Sequence, residues 1–254
     1  MASKSLYGLV SLVLLAGGII FMFFILLAGA VDSYPVNRFY FLQADTSNIP
    51  NAPSVSRWTY WNVCGKDGSR TVCGSEHFER VHPAFPLDPP SHREFNTHVN
   101  VPASFIGTSY YFYMTRFMFA FMLMALFFAV LAFLLSVLAI FTRLGAYVSG
   151  FFATLAFIFQ TLQASLMTAA YTKGRNNFRH NGQSARVGAY AIGFEWAAFA
   201  CFFLAIILLF LGGSSGRQKK VQSSTPRQSF FRGKRSKSTR SRGSFIDGPN
   251  KEYS

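Results

Sequence analysis

Residues 117–141 read FMFAFMLMALFFAVLAFLLSVLAIF, and the four residues that follow, 142–145, read TRLG. The long segment contains no charged residue, and about 20 apolar residues are enough for a helix to cross the hydrocarbon core of a bilayer. A second apolar segment, residues 146–170, follows the connection directly. Because so short a connection forces the chain to reverse direction, we predict that the two segments form an antiparallel pair of transmembrane helices.

Two further apolar segments, residues 6–31 and 187–211, complete a set of four predicted spans. The composition agrees, since 51% of the 254 residues are hydrophobic and 13% are charged, whereas soluble domains carry about 25% charged residues. Helices are preferred to barrel strands because no alternating pattern of about ten residues is present. The predicted fold is therefore an all-α membrane protein, a four-helix bundle. The sequence Ala28-Gly29-Ala30 leaves open that the first segment is cleaved as a signal peptide.

The distribution of charge predicts how the chain is oriented. Residues 212–254 hold 11 Lys and Arg residues against two acids, which gives them +9 of the total net charge of +14. By the positive-inside rule this tail is cytosolic. Four crossings then place residues 1–5 and 142–145 in the cytosol as well, and leave two extracellular loops, 32–116 and 171–186. The shorter loop opposes this orientation because its four basic residues have no acid among them.

The long loop contains two of the three cysteines, Cys64 and Cys73. Two cysteines in an extracellular loop favour a disulfide, and closing this short loop would stabilise the fold by about 2–3 kcal/mol on the chain-entropy model. A metal site is the alternative because four histidines follow, namely His77, His82, His92 and His98. Their spacing fits no common zinc pattern, so no metal is predicted. We expect a disulfide-containing loop domain that can also include β-strands.

An aromatic motif of the long loop, Trp58, Tyr60 and Trp61, precedes the first of these cysteines. Trp and Tyr side chains combine a large apolar ring with one polar group. We therefore predict that they pack over the disulfide or anchor the loop at the membrane interface. Binding of a specific ligand is the alternative role.

One charged residue, Glu195, lies inside a predicted span. An ionisable group at this depth is costly, and counting about 1.5 Å per residue places it level with Gln163 and Gln160 of the third span. We predict a hydrogen bond between Glu195 and one of these amides that holds the helices together, with a protonatable or ion-coupled site as the alternative. Small residues on the same helix recur at every fourth position and predict close helix packing, at Ala189, Gly193 and Ala197.

The basic tail, residues 212–254, is predicted to be disordered and to bind anionic lipids of the inner leaflet, where each basic residue contributes about 1 kcal/mol. The predicted lipid-binding residues are Arg217, Lys219, Lys220, Arg232, Lys234, Arg235 and Lys237. Phosphorylation would lower the positive charge and release the tail, and the candidate phosphosites are Ser229, Ser236, Ser238, Ser241 and Ser244. The simpler alternative is a solvated tail that only sets the orientation. Nucleic-acid binding is not expected beside a transmembrane span.

No catalytic motif is present in the sequence, since GxSxG, HExxH, the P-loop and the dinucleotide fingerprint are all absent. The sequence therefore predicts neither an enzyme nor a cofactor.

Four stretches of the sequence resemble one protein family. They are residues 32–40 (DSYPVNRFY), 57–61 (RWTYW), 95–102 (FNTHVNVP) and 115–117 (TRF). These stretches are similar to the fungal SUR/PalI family of tetraspan membrane proteins, and most of all to its eisosomal branch, over about residues 1–212. The pattern of Trp61, Cys64 and Cys73 also resembles the outer-loop signature of claudins, although the claudin Gly-Leu-Trp is absent.

The resemblance implies an integral plasma-membrane protein of fungal furrow-like domains, the eisosomes, located near BAR-domain scaffold proteins. It also implies roles in membrane organisation, endocytosis, cell-wall integrity and sphingolipid balance. The leading hypothesis is a structural organiser that self-associates laterally as a homo-oligomer and contacts anionic lipids, with sphingolipid and sterol as further candidates. The main alternative is a membrane sensing subunit for ambient pH or wall stress, supported by the loop histidines. A transporter that uses Glu195 is a third hypothesis.

Overall fold

A computed structural model of the chain describes residues 2–31, 33–73, 95, 97–105 and 109–214, with side chains described from residue 6 onward. These residues belong to one compact unit, Met1–Ser215. The long helices are α1 (Ala2–Leu26), α2 (Ser109–Phe141), α3 (Arg143–His180) and α4 (Ala189–Ser214). Within the described residues, four helices have the length and apolar composition needed to cross a membrane, which confirms the predicted fold class.

The buried residues of α2 and α4 are spaced at intervals of three or four positions. On α2 the buried residues are Tyr111, Thr115, Met118, Met122, Ala125, Ala129, Ala132 and Ser136. On α4 they are Ala191, Glu195, Ala198, Phe202, Ala205, Leu209 and Gly213. A repeat of about 3.5 residues is the pattern of left-handed helix packing, and alanine lets neighbouring backbones approach closely. The main contacts join α1 to α2, α2 to α3, α3 to α4 and α4 to α1, so the four helices form a closed ring.

A five-stranded sheet lies at one end of this bundle. The loop between α1 and α2 contributes β1 (Leu42–Asp45), β2 (Val55–Trp58), β3 (Val63–Asp67) and β4 (Arg70–Val72). The fifth strand, β5 (Ala185–Val187), comes from the connection between α3 and α4 and pairs with β1. All pairs are antiparallel, and the strand order is β4-β3-β2-β1-β5. Strands in the long loop agree with the prediction, whereas the sequence does not predict the fifth strand.

The apolar face of the sheet packs on the helix bundle. Leu42 and Trp58 are opposite each other in β1 and β2, and both are fully buried. The ring of Trp58 lies 5.3 Å from that of Phe178 on α3 and 5.8 Å from that of Phe105. A Cβ at Gly174 of α3 would lie 3.0 Å from Phe105 and 3.2 Å from Leu42, so the absence of a side chain permits this contact. The core of the sheet therefore continues into the bundle.

Helix ends differ from the predicted span ends because hydropathy marks the part of a helix that fits a bilayer, and not the whole helix. α2 begins at Ser109, before the predicted residue 117, and α3 continues to His180, past the predicted residue 170. This extension stays helical since three of its residues keep the inner face buried, namely Tyr171, Gly174 and Phe178. The predicted loop 171–186 is therefore mostly helix.

Two residues with special local chemistry mark the ends of helices. Only Thr142 separates α2 from α3, and its Oγ1 accepts a hydrogen bond from the Gly145 N–H at 3.1 Å as an N-cap. α1 ends at Leu26, before the predicted residue 31, and Gly29 follows with a φ of +86°. This left-handed conformation favours glycine and stops a helix. A Cβ at Gly29 would also meet the side chain of Thr59.

Candidate functional site

A disulfide joins the two strands of the hairpin β3–β4. Cys64 lies in β3 and Cys73 directly follows β4, and their Cα atoms are 4.5 Å apart. Gly65 pairs with Val72 in this hairpin, so the two cysteines face each other one step further along the ladder. The predicted disulfide is therefore confirmed, and it links the edge strand β4 covalently to the rest of the sheet.

The aromatic motif attaches the sheet to the end of α1. Trp61 Nε1 donates a hydrogen bond to the Leu26 carbonyl at 2.5 Å, and the Tyr60 backbone N–H donates to the Ala28 carbonyl at 3.1 Å. The last carbonyls of a helix have no partner within it, so the Trp61 donor satisfies one that α1 leaves open, and the Tyr60 bond holds the chain just after the helix. Trp58, the remaining member of the motif, belongs to the core between sheet and bundle. The motif thus connects the strands to the helices.

A buried polar cluster lies between α3 and α4. Gln160 Nε2 donates a hydrogen bond to Glu195 Oε1 at 2.7 Å, and all the atoms of both residues are shielded from solvent. Gln163 is equally buried, but its Nε2 lies 3.8 Å from the Sδ of Met167 and makes no bond to Glu195. Of the two amides considered in the sequence, the structure places Gln160, and not Gln163, in hydrogen-bond contact with the acid.

Tyr60 extends this cluster toward the sheet. Burial, followed by the nearby Glu195 and Tyr171, raises the pKa of the Tyr60 hydroxyl well above its usual range. The ring of Phe41 stacks on Tyr171 at 5.0 Å and lies 6.1 Å from the ring of Tyr60. The ring of Phe41 therefore contacts a ring of α3 and a ring of the β2–β3 connection.

The stripe of small residues on α4 faces mainly away from the bundle of its own chain, and close helix packing through this stripe stays a prediction. Ala189 and Gly193 are exposed, Ala197 is half-buried, and a Cβ at Gly193 would meet nothing within 4 Å. Residues two positions apart on a helix point about 200° apart, so the burial of Glu195 turns Gly193 outward. Three other small residues of α4 pack inside the bundle, at Ala191, Ala198 and Ala205.

Arg57 of β2 is a buried residue that connects several segments of the sheet by hydrogen bonds, and the sequence does not predict this role. Its side chain is 3% exposed and its guanidinium lies 4.4 Å from the centre of the Tyr40 ring. Its Nε donates to Gln43 Oε1 at 3.0 Å, and its Nη1 donates to the Ser69 carbonyl at 3.1 Å and to Thr71 Oγ1 at 3.0 Å. Burial lowers the pKa of this guanidinium. The only sign of this role in the sequence is that Arg57 directly precedes Trp58, so that the two side chains alternate along one strand.

Several predicted residues lie outside the described part of the chain. They are the lipid-binding basic residues and phosphosites of the tail, and three of the four loop histidines, His77, His82 and His92. His98 is described and exposed. In the described ranges, no three His, Cys, Asp or Glu side chains come together as metal ligands would.

The sequence matches the family model of the SUR7/PalI family over residues 7–208, which takes in the whole sheet and all or most of each of the four helices. The chain belongs to the SUR7/PalI family. It is 37% identical over 220 residues to Protein SUR7 of Candida albicans, an alignment that covers 85% of this chain and 78% of that one. It is 39% identical over 206 residues to Protein SUR7 of Saccharomyces cerevisiae, covering 80% and 66% of the two chains.

Another relative of this SUR7/PalI protein is named an uncharacterized plasma membrane protein of Saccharomyces cerevisiae. It is 30% identical over 211 residues, which cover 82% of this chain and 67% of the relative. Together with the four membrane-capable helices, these comparisons identify a SUR7-type plasma-membrane protein. None of these names, nor the description of the family, refers to an enzymatic activity.

Proposed function

We propose that this protein is a structural organiser of a specialised plasma-membrane domain of the eisosome type. In this role, copies of the chain associate laterally and collect particular lipids around them. The proposal places the sheet outside the cell and both termini in the cytosol. Roles in endocytosis, cell-wall integrity and sphingolipid balance, and proximity to BAR-domain scaffolds, are part of the same proposal.

The observation that carries the proposal is the firm attachment of the sheet to the bundle in a SUR7/PalI chain. Hydrogen bonds from Tyr60 and Trp61 join the sheet to the end of α1, and the Trp58 ring joins it to Phe178 of α3. The disulfide fixes the outermost hairpin. Because these contacts involve buried groups, the sheet and the helices form one unit. Such a unit can hold a fixed orientation relative to neighbouring copies and to lipids, which a membrane organiser requires.

The sides of the bundle support contacts with lipids and with other helices. Large apolar side chains face away from the core on each helix, and examples are Val13 on α1, Phe127 on α2, Phe151 on α3 and Phe203 on α4. In a bilayer, association of helices depends on shape and van der Waals packing, since lipid tails are as apolar as leucine. A surface of this composition with many aromatic rings is suited to selecting neighbours by shape.

The basic tail supports the proposal on the cytosolic side. Its net charge of +9 would attract anionic lipids, with each basic residue contributing about 1 kcal/mol at the surface. Phosphorylation of the interleaved serines would weaken that attraction. The tail therefore gives the organiser a means of choosing its membrane and of being released from it.

The proposal is tested by imaging the tagged full-length chain in living fungal cells and by measuring its mass in native membrane. Static cortical patches and homo-oligomeric masses are expected. A diffuse signal over the plasma membrane together with a monomeric mass would refute the proposal.

A pair of tail variants isolates the lipid contact. In the first variant, the seven predicted lipid-binding residues are replaced by Gln. In the matched control, each of the same Lys and Arg residues is exchanged for the other type, so that the charge is kept. The Gln variant should leave the patches and the control should remain in them, with protease protection used to verify that both insert in the same orientation. Equal patch residence of the two variants would show that charge-based lipid binding is not involved.

A further inference from the structure

Four buried oxygen atoms near the sheet end of the bundle have no hydrogen-bond partner in the protein. They are Glu195 Oε2, Gln160 Oε1, Gln163 Oε1 and the Tyr60 hydroxyl oxygen. The four residues are at most 1% exposed. Buried polar groups in proteins are nearly always paired, so four unpaired oxygens in this part of the bundle call for a ligand.

The four oxygens come from three different elements, and one hydrogen bond, from Gln160 to Glu195, joins two of these elements directly. Gln160 and Gln163 lie three positions apart on the inner face of α3, and Gln160 is bonded to Glu195 of α4 at 2.7 Å. Tyr60 belongs to the connection between β2 and β3, and burial, followed by the nearby Glu195, raises the pKa of its hydroxyl. The ring of Phe41, next to β1, lies 6.1 Å from the ring of Tyr60.

The chemistry of the unpaired atoms favours a cation. Both amide oxygens and an ionised carboxylate oxygen can only accept hydrogen bonds or bind a positive charge, and a phenol oxygen can do the same. The Gln160 amide group donates a hydrogen bond to Oε1, the other carboxylate oxygen of Glu195. Within the described residues, no basic side chain pairs with Glu195.

The other groups around Glu195 bring no second charge. On α3, the neighbouring titratable side chain is Tyr171. The described side chains of α1 bury no ionisable group, and α2 buries only Tyr111, whose hydroxyl accepts a hydrogen bond from Asn177. A single carboxylate therefore determines the charge of the cluster, and a monovalent ion balances it. A divalent ion would leave a buried positive charge, and calcium takes at least about six oxygen ligands.

We propose that Glu195, Gln160, Gln163 and Tyr60 form a binding site for one alkali-metal cation, Na⁺ or K⁺, inside the helix bundle. The ion joins α3, α4 and the β2–β3 connection through their oxygen atoms, so its binding stabilises the attachment of the sheet to the bundle. A proton on Glu195 competes with the ion for the same carboxylate. This site does not depend on lateral association of the chain, so its test is separate from that of the proposed function.

The test is thermal unfolding of the full-length chain in nanodiscs of uncharged phosphatidylcholine. NaCl and KCl are titrated against N-methylglucamine chloride at constant ionic strength and constant pH, because the organic cation is too large for the site. The midpoint of unfolding should rise with the concentration of one alkali ion and should saturate, as expected for a ligand that binds the folded state.

Three variants make the result specific. Glu195→Gln should abolish the dependence on the ion, and Tyr60→Phe should raise the half-saturating concentration by about tenfold, since it removes one oxygen. Ser149→Ala is the matched control. It removes a buried bond of 2.7 Å from Ser149 Oγ to the Ala132 carbonyl, away from the site, so it should lower the midpoint and keep the ion dependence.

Two outcomes would overturn the proposal. One is a wild-type midpoint that is the same in NaCl, KCl and N-methylglucamine chloride. The other is a midpoint that depends on pH through Glu195 and on no alkali ion, which would mean that only a proton occupies the cluster. If Glu195→Gln does not fold, Tyr60→Phe decides, because an unchanged half-saturating concentration in that variant contradicts the assigned ligands.

Discussion

Two adjacent glycines of α1 offer a sharp test of the helix packing. A Cβ at Gly18 would lie 2.5 Å from Cε1 and 3.0 Å from Cδ1 of Phe202, a ring of α4 that is fully buried. A Cβ at Gly17 would meet nothing within 4 Å. Ordinary contacts between carbon atoms are about 3.5–4.0 Å, so Gly18→Ala requires the Phe202 ring or the helix to move by about 1 Å.

The difference between the two variants can be estimated. Overpacking of this kind costs about 1–3 kcal/mol. Both substitutions gain the same helix propensity, about 1 kcal/mol for Gly→Ala, so that gain cancels when Gly18→Ala is compared with Gly17→Ala. At about 2–4 °C per kcal/mol for a chain of this size, the midpoint of Gly18→Ala should lie about 2–12 °C below that of Gly17→Ala.

The measurement is thermal unfolding of both variants and the wild type in the same nanodiscs, followed by tryptophan fluorescence. Equal midpoints for Gly17→Ala and Gly18→Ala would refute the close packing of α1 on α4 at Phe202. A double variant, Gly18→Ala with Phe202→Leu, should recover part of the loss because the smaller side chain makes room for the new methyl group.

Three further outcomes are expected. Trp61→Phe keeps an aromatic ring but loses the hydrogen bond to the end of α1, so the free energy of unfolding should fall by about 0.5–1.5 kcal/mol in the same assay, and an unchanged value would contradict the anchoring role. Replacing Cys64 and Cys73 together by Ser should lower it by about 2–3 kcal/mol, and a reducing agent should then have no added effect, as checked by unfolding with and without reductant. Hydrogen bonds from the side chain and backbone of Ser47 hold the pKa of Asp45 below its usual value. Its contribution to stability is therefore present above about pH 4 and lost as the pH falls through the lowered pKa, so the midpoint of Asp45→Asn should respond less to acid than that of the wild type.

The features that follow from local chemistry could be predicted from the sequence. Long uncharged segments predict the four spans because lipid excludes charge and requires internally paired backbones. The disulfide of Cys64 and Cys73 follows from two neighbouring cysteines in one loop. The level of Glu195 relative to Gln160 follows from the helical rise, which is the same in every helix.

Other features depend on contacts between distant residues and leave no local signal. The stripe of Ala189, Gly193 and Ala197 has the spacing of a packing face, but burial of Glu195 turns it away from the core. The extension of α3 to His180 is polar in sequence, and it is held by aromatic contacts of Phe178 with Trp58 and Phe105. Arg57 is buried because β1 and the β3–β4 hairpin supply its acceptors, and neither can be located from the residue itself.

A ribosome makes β1 long before β5, since Leu42 pairs with Val187 across most of the described chain. Until α3 and α4 have both entered the membrane, one edge of β1 has no strand to pair with. The sheet can therefore be completed only after the last two helices have been inserted with their connection on the same side of the membrane as the long loop. A chain that stalls earlier, or inserts the last pair the wrong way, keeps an open strand edge that can pair with another chain.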